Sequence, residues 1–269
     1  MANPLSVAHP WDLVAPGYLE HNLDDFTAFA SRALELAAIG PADRVIDVAC
    51  GPGSLAIPAA AKAQHVQAVD FSQPMLAQLR ERLSDGNIQN VSVTHGDGQA
   101  LPFEDAMFDA GFSMFGLMFF PDRARGFAEL RRVLRPGARA VVSSWVPMDD
   151  IVVLSTMFEA LFEAAPELAP TEAPPPPPLS NPASLIDEMS AAGFEVEVTE
   201  VTHPIQNGSL EETLAASRTS FAPLCLMAEQ LGDRFEDVWR HVCASMLAKL
   251  GPGPVSFPMR ALFGVGRAI

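Results

Sequence analysis

Two spacings of apolar residues take turns along the first half of the chain. Consecutive apolar residues fit strands buried on both faces, and apolar residues recurring every three or four positions fit amphipathic helices. Residues 28–39 (AFASRALELAAI) have helical spacing and meet a helix stop at Gly40-Pro41. RVIDVAC (44–50) then reads as a first strand, and SLAIPAAAKA (54–63) as a helix that accommodates Pro58. VQAVD (66–70) is a second strand. The helix after it, FSQPMLAQLRERL, has Ser72 as its N-cap and Pro74 in its first turn, where proline is tolerated. VSVTHGD (91–97) and FDAGFSM (108–114) are the third and fourth strands. PDRARGFAELRRVL (121–134) is an amphipathic helix ended by Arg135-Pro136-Gly137, and ARAVVSSW (138–145) is the fifth strand.

Strand and helix alternating in this way predict right-handed βαβ units on a parallel sheet. After Trp145 the rhythm changes. IVVLSTMFEALFEAA is an apolar helical stretch, and the run Pro174 to Pro178 reads as a stiff polyproline spacer. A helix (181–193) and a sixth strand (194–204) follow, then two or three helices over 209–250 and a closing strand, VSFPMRALFGVGRAI. The expected fold is α/β: one Rossmann-like, doubly wound domain over 1–269, with an N-terminal helical segment (1–40). Helical cap insertions are expected at 147–180 and 209–250. Ligands of open α/β sheets sit beyond the carboxyl ends of the strands, where both insertions emerge and can roof the crevice.

Charge narrows the ligand. Seventeen Lys plus Arg stand against 33 Asp plus Glu, a formal net of −16. So acidic a surface repels phosphate backbones and argues against nucleic acid. Cys50, Cys225 and Cys243 are widely spaced and match no zinc pattern; an odd, sparse set fits a reducing compartment. The start, MANPLSVAHPWDLV, has no basic and apolar regions of a signal peptide, and FGLMFF (115–120) is too short to span a bilayer. The expectation is a soluble, cytoplasmic protein with a small-molecule substrate and no membrane insertion.

GPGSLA (51–56) fits G-x-G-x-x-G/A, a weak signal alone, since two glycines can merely permit a strand-to-helix turn. The flanks raise it. Asp70 closes the second strand, where a carboxylate can accept from both hydroxyls of a ribose, and Asp97 closes the third, where an acid suits an exocyclic amine such as adenine's. Asp47, four residues before Gly51, separates the cofactors. It is a poor neighbour for a dinucleotide's diphosphate and a good one for the ammonium of an amino acid. The loop reads as a seat for S-adenosylmethionine (SAM).

These motifs resemble the class I SAM-dependent methyltransferases, close to the ubiquinone and menaquinone C-methyltransferase-like branch. The resemblance rests on VIDVACGPG, AVDFSQPML, HGDGQALPF and LRRVLRPGARAVVSSW, which stand in family order across 42–145. It implies a seven-stranded, mostly parallel sheet whose antiparallel last strand inserts between the fifth and sixth. It also implies that Ala49, Gly51 and Gly53 line the methionine part, with Asp47 near the amine. Asp70 would hold the ribose, Phe71 and Met75 would pack on the adenine, and Asp97 would accept from the adenine amine beside Gly98 and Gln99. Ser113 would lie near the sulfonium. For Phe71, Met75 and Ser113 the plain alternative is ordinary packing, and only their motif positions raise them above it.

Methyl transfer asks mainly for alignment and exclusion of water, so the reaction class names no catalytic residue. Tyr18, in a segment that in the family folds over the cofactor, His21 and His241 are the weak candidates for a base; His9, His65, His95 and His203 carry less signal. FSMFGLMFF lacks the Pro-Pro-aromatic motif of DNA-base methyltransferases, and no carboxylate cluster for a metal follows the fourth strand. Phe115 is the substrate-pocket candidate, for a small apolar or aromatic metabolite methylated on carbon, oxygen or nitrogen. A nicotinamide oxidoreductase shares the loop and the ribose acid but leaves Asp47, Asp97 and the RPGA turn unexplained. A non-catalytic SAM-binding protein stays open.

Overall fold

The computed structural model describes residues 3–148, 151–171 and 176–269. Seven strands form one sheet: β1 (Arg44–Val48), β2 (His65–Asp70), β3 (Val91–His95), β4 (Phe108–Met114), β5 (Leu134–Trp145), β6 (Phe194–Ser209) and β7 (Pro254–Ala268). Their order is β3-β2-β1-β4-β5-β7-β6. β1 to β5 pair in parallel, and β7 runs antiparallel to both β5 and β6. The last strand therefore inserts where the resemblance implied.

Consecutive strand residues serve opposite layers, which is why the strands read as unbroken apolar runs. Val45 and Val141 belong to one core with Phe29, Leu34 and Leu79, and Ile46 and Val142 to the other with Phe127 and Leu185. The first layer is built by α2 (Leu23–Ala37), α3 (Ala56–Ala60) and α4 (Gln73–Asp85); the second by α5 (Arg123–Val133) and α7 (Pro182–Ala191). Ser72 caps α4 as the sequence predicts, its hydroxyl accepting from the Met75 amide at 3.3 Å.

Several details differ from the sequence reading. β3 ends at His95, so Asp97 lies in the loop beyond it, and β5 begins at Leu134 and includes Arg135-Pro136-Gly137. α2 ends at Ala38, itself left-handed at φ 50°, rather than at Gly40-Pro41. α3 is only five residues long, because residues 51–55 are spent on turns. β6 runs on to Ser209, held by register with β7 as far as Pro254. Within the polyproline run, Pro174 and Pro175 lie outside the described residues, while Pro176 and Pro177 are exposed.

A third apolar cluster joins α6 (Val152–Ala164), α8 (Leu210–Ser220), α9 (Ala222–Leu231) and α10 (Phe235–Leu250) around Leu161, Leu214 and Trp239. The N-terminal α1 (His9–His21) crosses α4 and α8. Ser72 Oγ bonds Asp12 Oδ1 at 2.6 Å, and Gln78 Nε2 donates to the Ala15 carbonyl at 2.6 Å. Gly17 makes the crossing possible: a Cβ there would stand 2.5 Å from the Thr219 carbonyl oxygen. Backbone cannot yield as a side-chain tip can. Overpacking of this kind costs about 1–3 kcal/mol, so Gly17→Val is expected to raise amide exchange over residues 9–21 by roughly 5- to 150-fold. Exchange in β4 and β5 should stay unchanged; unchanged protection of α1 would mean the crossing is not set by Gly17.

Candidate active site

A cavity of about 1,200 Å³ opens at the carboxyl ends of β1, β2, β4 and β5. Pockets for one small ligand run from about 300 to 1,000 Å³, so there is room for a cofactor and a substrate together. Its walls differ in chemistry. The loops after β1, β2 and β3 supply Ala49, Gly51, Asp70, Phe71, Asp97, Gly98 and Gln99, with Met75 from α4. The opposite wall is mostly apolar, with a few polar side chains from α2 and α8, and comes from α2, α6, α8, β7 and the end of β5.

The two glycines of the first loop have different duties. A Cβ on Gly51 would meet nothing within 4 Å, so this residue leaves open space above the backbone. A Cβ on Gly53 would lie 2.4 Å from Leu79 Cδ1, so that glycine lets the turn pack on α4. Both have positive φ, as does Ala49 at 59°. An alanine in the left-handed region is strained, and such strain collects at ligand sites.

Asp70 is nearly buried and ties the loops together, accepting from Gly51 N and Ser72 N at 2.8 Å each. Burial raises its pKa while those amides pull it down. Asp47 is more isolated. It is 1% exposed, and among the described residues neither carboxylate oxygen has a hydrogen-bond partner. Burial first, then the negative neighbour Asp70, push its pKa up to about 8. A buried, unpartnered carboxylate is costly unless a cation or donor meets it. Asp97 is held by its own turn, accepting from Gln99 N at 2.8 Å, while Gln99 Oε1 accepts from Asp122 N at 2.9 Å.

Other predicted residues fall elsewhere. Asp47, Gly53 and Ser113 lie behind the wall rather than on it. Ser113 is fully buried and its hydroxyl accepts from Leu117 N at 3.2 Å, a turn-holding bond. His241 sits on α10, away from the cavity and 3.9 Å from Glu163. Tyr18 and His21 do line the cavity. Burial and then Asp70 push the Tyr18 phenol well above its ordinary range, so it stays protonated and can donate but not serve as a base.

Phe115 is also on the wall, at φ 57° and with its amide held by Ser143 Oγ at 3.0 Å. It stacks on Trp145 with ring centroids 3.8 Å apart. Phe26 and Phe29 meet both rings edge-on, at 5.3 to 5.8 Å. Offset and edge-on pairs are the favoured ring geometries, and the four rings make one apolar face of the cavity. Sequence reasoning named only Phe115. Phe29 falls in the helix read over 28–39, Phe26 only in the broader N-terminal segment 1–40, and Trp145 at a strand end.

Residues 45–137 match the family described as Methyltransferase domain. That segment is similar to a methyltransferase domain. It holds the whole polar wall. Over 113 residues, 41% of its length, the chain is 39% identical to a demethylmenaquinone methyltransferase of Clavibacter sepedonicus, covering 45% of that protein. The corresponding enzyme of Thermus thermophilus is 37% identical over 140 residues, 50% of this chain and 63% of its own. The chain spans about half the length of the first curated relatives it matches, uncharacterised mycobacterial proteins 35% identical over 135 residues. Among solved structures, YcgJ of Bacillus subtilis aligns at TM-score 0.59 and 18% identity over 89% of this chain and 97% of that one. The [4+2]-cyclase SpnF aligns at 0.64 and 18% over 100% and 97%. These likenesses establish the fold, and a fold hosts more than one chemistry.

The cofactor of the methyltransferase domain is SAM, and the residues present fit it. Asp47 offers a buried carboxyl without a hydrogen-bond partner beneath the loop, which an ammonium would favour in its ionised form, Gly51 leaves space for a ligand against the backbone, and Asp70 reaches the cavity from the end of β2. Among the described residues no cluster of side chains could hold a metal, and no helix is long and apolar enough to cross a membrane.

Proposed function

We propose that the chain is a SAM-dependent methyltransferase of a small, quinol-like aromatic metabolite, with residues 1–269 working as one domain. What carries the reading is the pairing of two unlike walls in one cavity: the polar loops after β1 to β3 and the four-ring apolar face. SAM supplies a methyl group on a positively charged sulfur, open to in-line displacement. Asp47 would balance its ammonium, Asp70 its ribose hydroxyls and Asp97 the adenine amine, while Phe71 and Met75 pack on the ring. Phe115, Trp145, Phe26 and Phe29 would hold a flat substrate and keep water out, and such alignment supplies much of the rate gain in reactions of this kind. The demethylmenaquinone methyltransferases among the relatives support a quinol-like acceptor, methylated on carbon or oxygen.

The test is incubation of the purified protein with methyl-labelled SAM and 1,4-naphthohydroquinone under reducing conditions. Label is expected in the organic phase together with an equal amount of S-adenosylhomocysteine. Binding of NADH without binding of S-adenosylhomocysteine would restore the oxidoreductase reading. S-adenosylhomocysteine binding without transfer to hydroxylated aromatics would leave a SAM-binding protein of another kind.

A further inference from the structure

The apolar wall carries one polar arrangement that the proposed cofactor site does not use. Asp25 sits on α2 one residue before Phe26 and lines the cavity. His203 reaches it from β6, with Nε2 3.0 Å from Asp25 Oδ1. On β6, His203 is paired with Met259 and flanked by the Ile205–Phe257 pair; Met259, Ile205 and Phe257 all line the cavity. Paired and alternate residues of neighbouring strands share a face. The imidazole also packs edge-on against Phe29, with centroids 5.5 Å apart.

The polar side chains of α8 on this wall are already engaged within their own helix. Thr213 donates to the Ser209 carbonyl at 3.1 Å, Ser217 to Thr213 at 2.8 Å and Ser220 to Ala216 at 2.9 Å. Glu212 closes a capping box with Ser209. Asp25 Oδ2, by contrast, has no hydrogen-bond partner among the described residues. Two other titratable groups close by on the wall come from α1: His21 at its end, 3.8 Å from Glu20, and Tyr18, whose ring packs on Phe26. A purely structural ion pair is a weak explanation. Both side chains are about a third exposed, at 29% and 32%, and exposed pairs contribute little stability.

We infer that Asp25, braced by His203, selects substrates that present a hydroxyl beside an aromatic body. One carboxylate oxygen is held by the imidazole, which fixes the plane of the group. The other is left to accept from a ligand donor at the edge of the ring-lined face. Hydrogen bonds to a charged acceptor are worth more than neutral ones, and a site built for a hydroxyl discriminates strongly against the analogue lacking it. The inference deepens the methyltransferase reading and rests on it only for the fate of the bound hydroxyl compound.

The test compares 2-naphthol with naphthalene by equilibrium dialysis, with and without saturating S-adenosylhomocysteine. Wild type is expected to prefer the naphthol by about tenfold or more. Asp25→Ala should abolish the preference while leaving naphthalene binding unchanged. His203→Phe should reduce it, and His203→Gln, which keeps an N–H facing the carboxylate, should retain most of it; a merely structural role would not give that rescue. No preference in wild type, or an undiminished one in Asp25→Ala, overturns the inference. Titration of S-adenosylhomocysteine on the same samples reads the cofactor separately. Its failure to bind would end the methyltransferase reading while leaving the naphthol preference measurable.

Discussion

Asp70→Ala is expected to weaken S-adenosylhomocysteine binding by about 100-fold or more. The carboxylate is proposed to accept from two ribose hydroxyls, and each such charge-assisted bond contributes roughly 1.5–3 kcal/mol. It also accepts from Gly51 N and Ser72 N, so it holds the first glycine loop and the start of α4 in one geometry. Losing it costs both contact and preorganisation. Asp70→Asn should fall between, since one side of its amide would face a backbone donor with a donor. Calorimetric titration of the three proteins checks this, with circular dichroism to show that each is folded. Unchanged affinity in Asp70→Ala would remove the second-strand acid from the site.

The second large effect concerns protons. Asp47 titrates near pH 8 in the folded protein, raised from 3.8 by burial and by Asp70. A raised carboxyl pKa means the folded chain binds a proton that the unfolded chain has released. Its contribution to stability is complete below pH 3.8 and is lost as pH rises toward 8. The slope approaches about 1.4 kcal/mol per pH unit between those limits. Asp47→Asn is expected to flatten that slope, measured by urea unfolding at several pH values between the two limits. Pairing with the ammonium of the methionine moiety requires the ionised acid. Wild-type protein should therefore release a proton on binding S-adenosylhomocysteine at neutral pH, and bind it more tightly as pH rises toward 8. The apparent enthalpy should differ between buffers of different ionisation heat. No buffer dependence, together with full affinity in Asp47→Asn, would show that this acid does not meet the cofactor.

The parts of the molecule legible in the sequence are those set by short stretches of chain. Alternating strand and helix periodicity exposed β1 to β5, and Ser72 with Pro74 gave the start of α4. Asp47, Asp70 and Asp97 are readable because the first lies in a strand, the second ends one and the third follows β3 by two residues, where chain order alone places them at one edge of the sheet. Other features depend on which distant segments meet. Phe26, Phe29, Phe115 and Trp145 come from α2, the turn after β4 and the end of β5, and helical or strand periodicity reports only that each is buried. Asp25 and His203 lie 178 residues apart. Ser113 stands where the resemblance implies a neighbour of the sulfonium, yet its hydroxyl accepts from the Leu117 amide and holds a turn. Apolar spacing overstates the short α3, because it continues through residues 51–55, whose backbone shapes the glycine loop.

The division of the cavity into two walls bears on what can be inherited separately. The polar wall hangs from residues 45–137, the stretch that matches the methyltransferase domain. Three of the four rings opposite it, and both members of the Asp25–His203 pair, come from outside that stretch. Substitutions at those outer positions can change which acceptor enters while the methyl-donor seat stays as it is. Kinship measured over the shared stretch is thus a guide to the donor, and the acceptor must be sought in the residues around it.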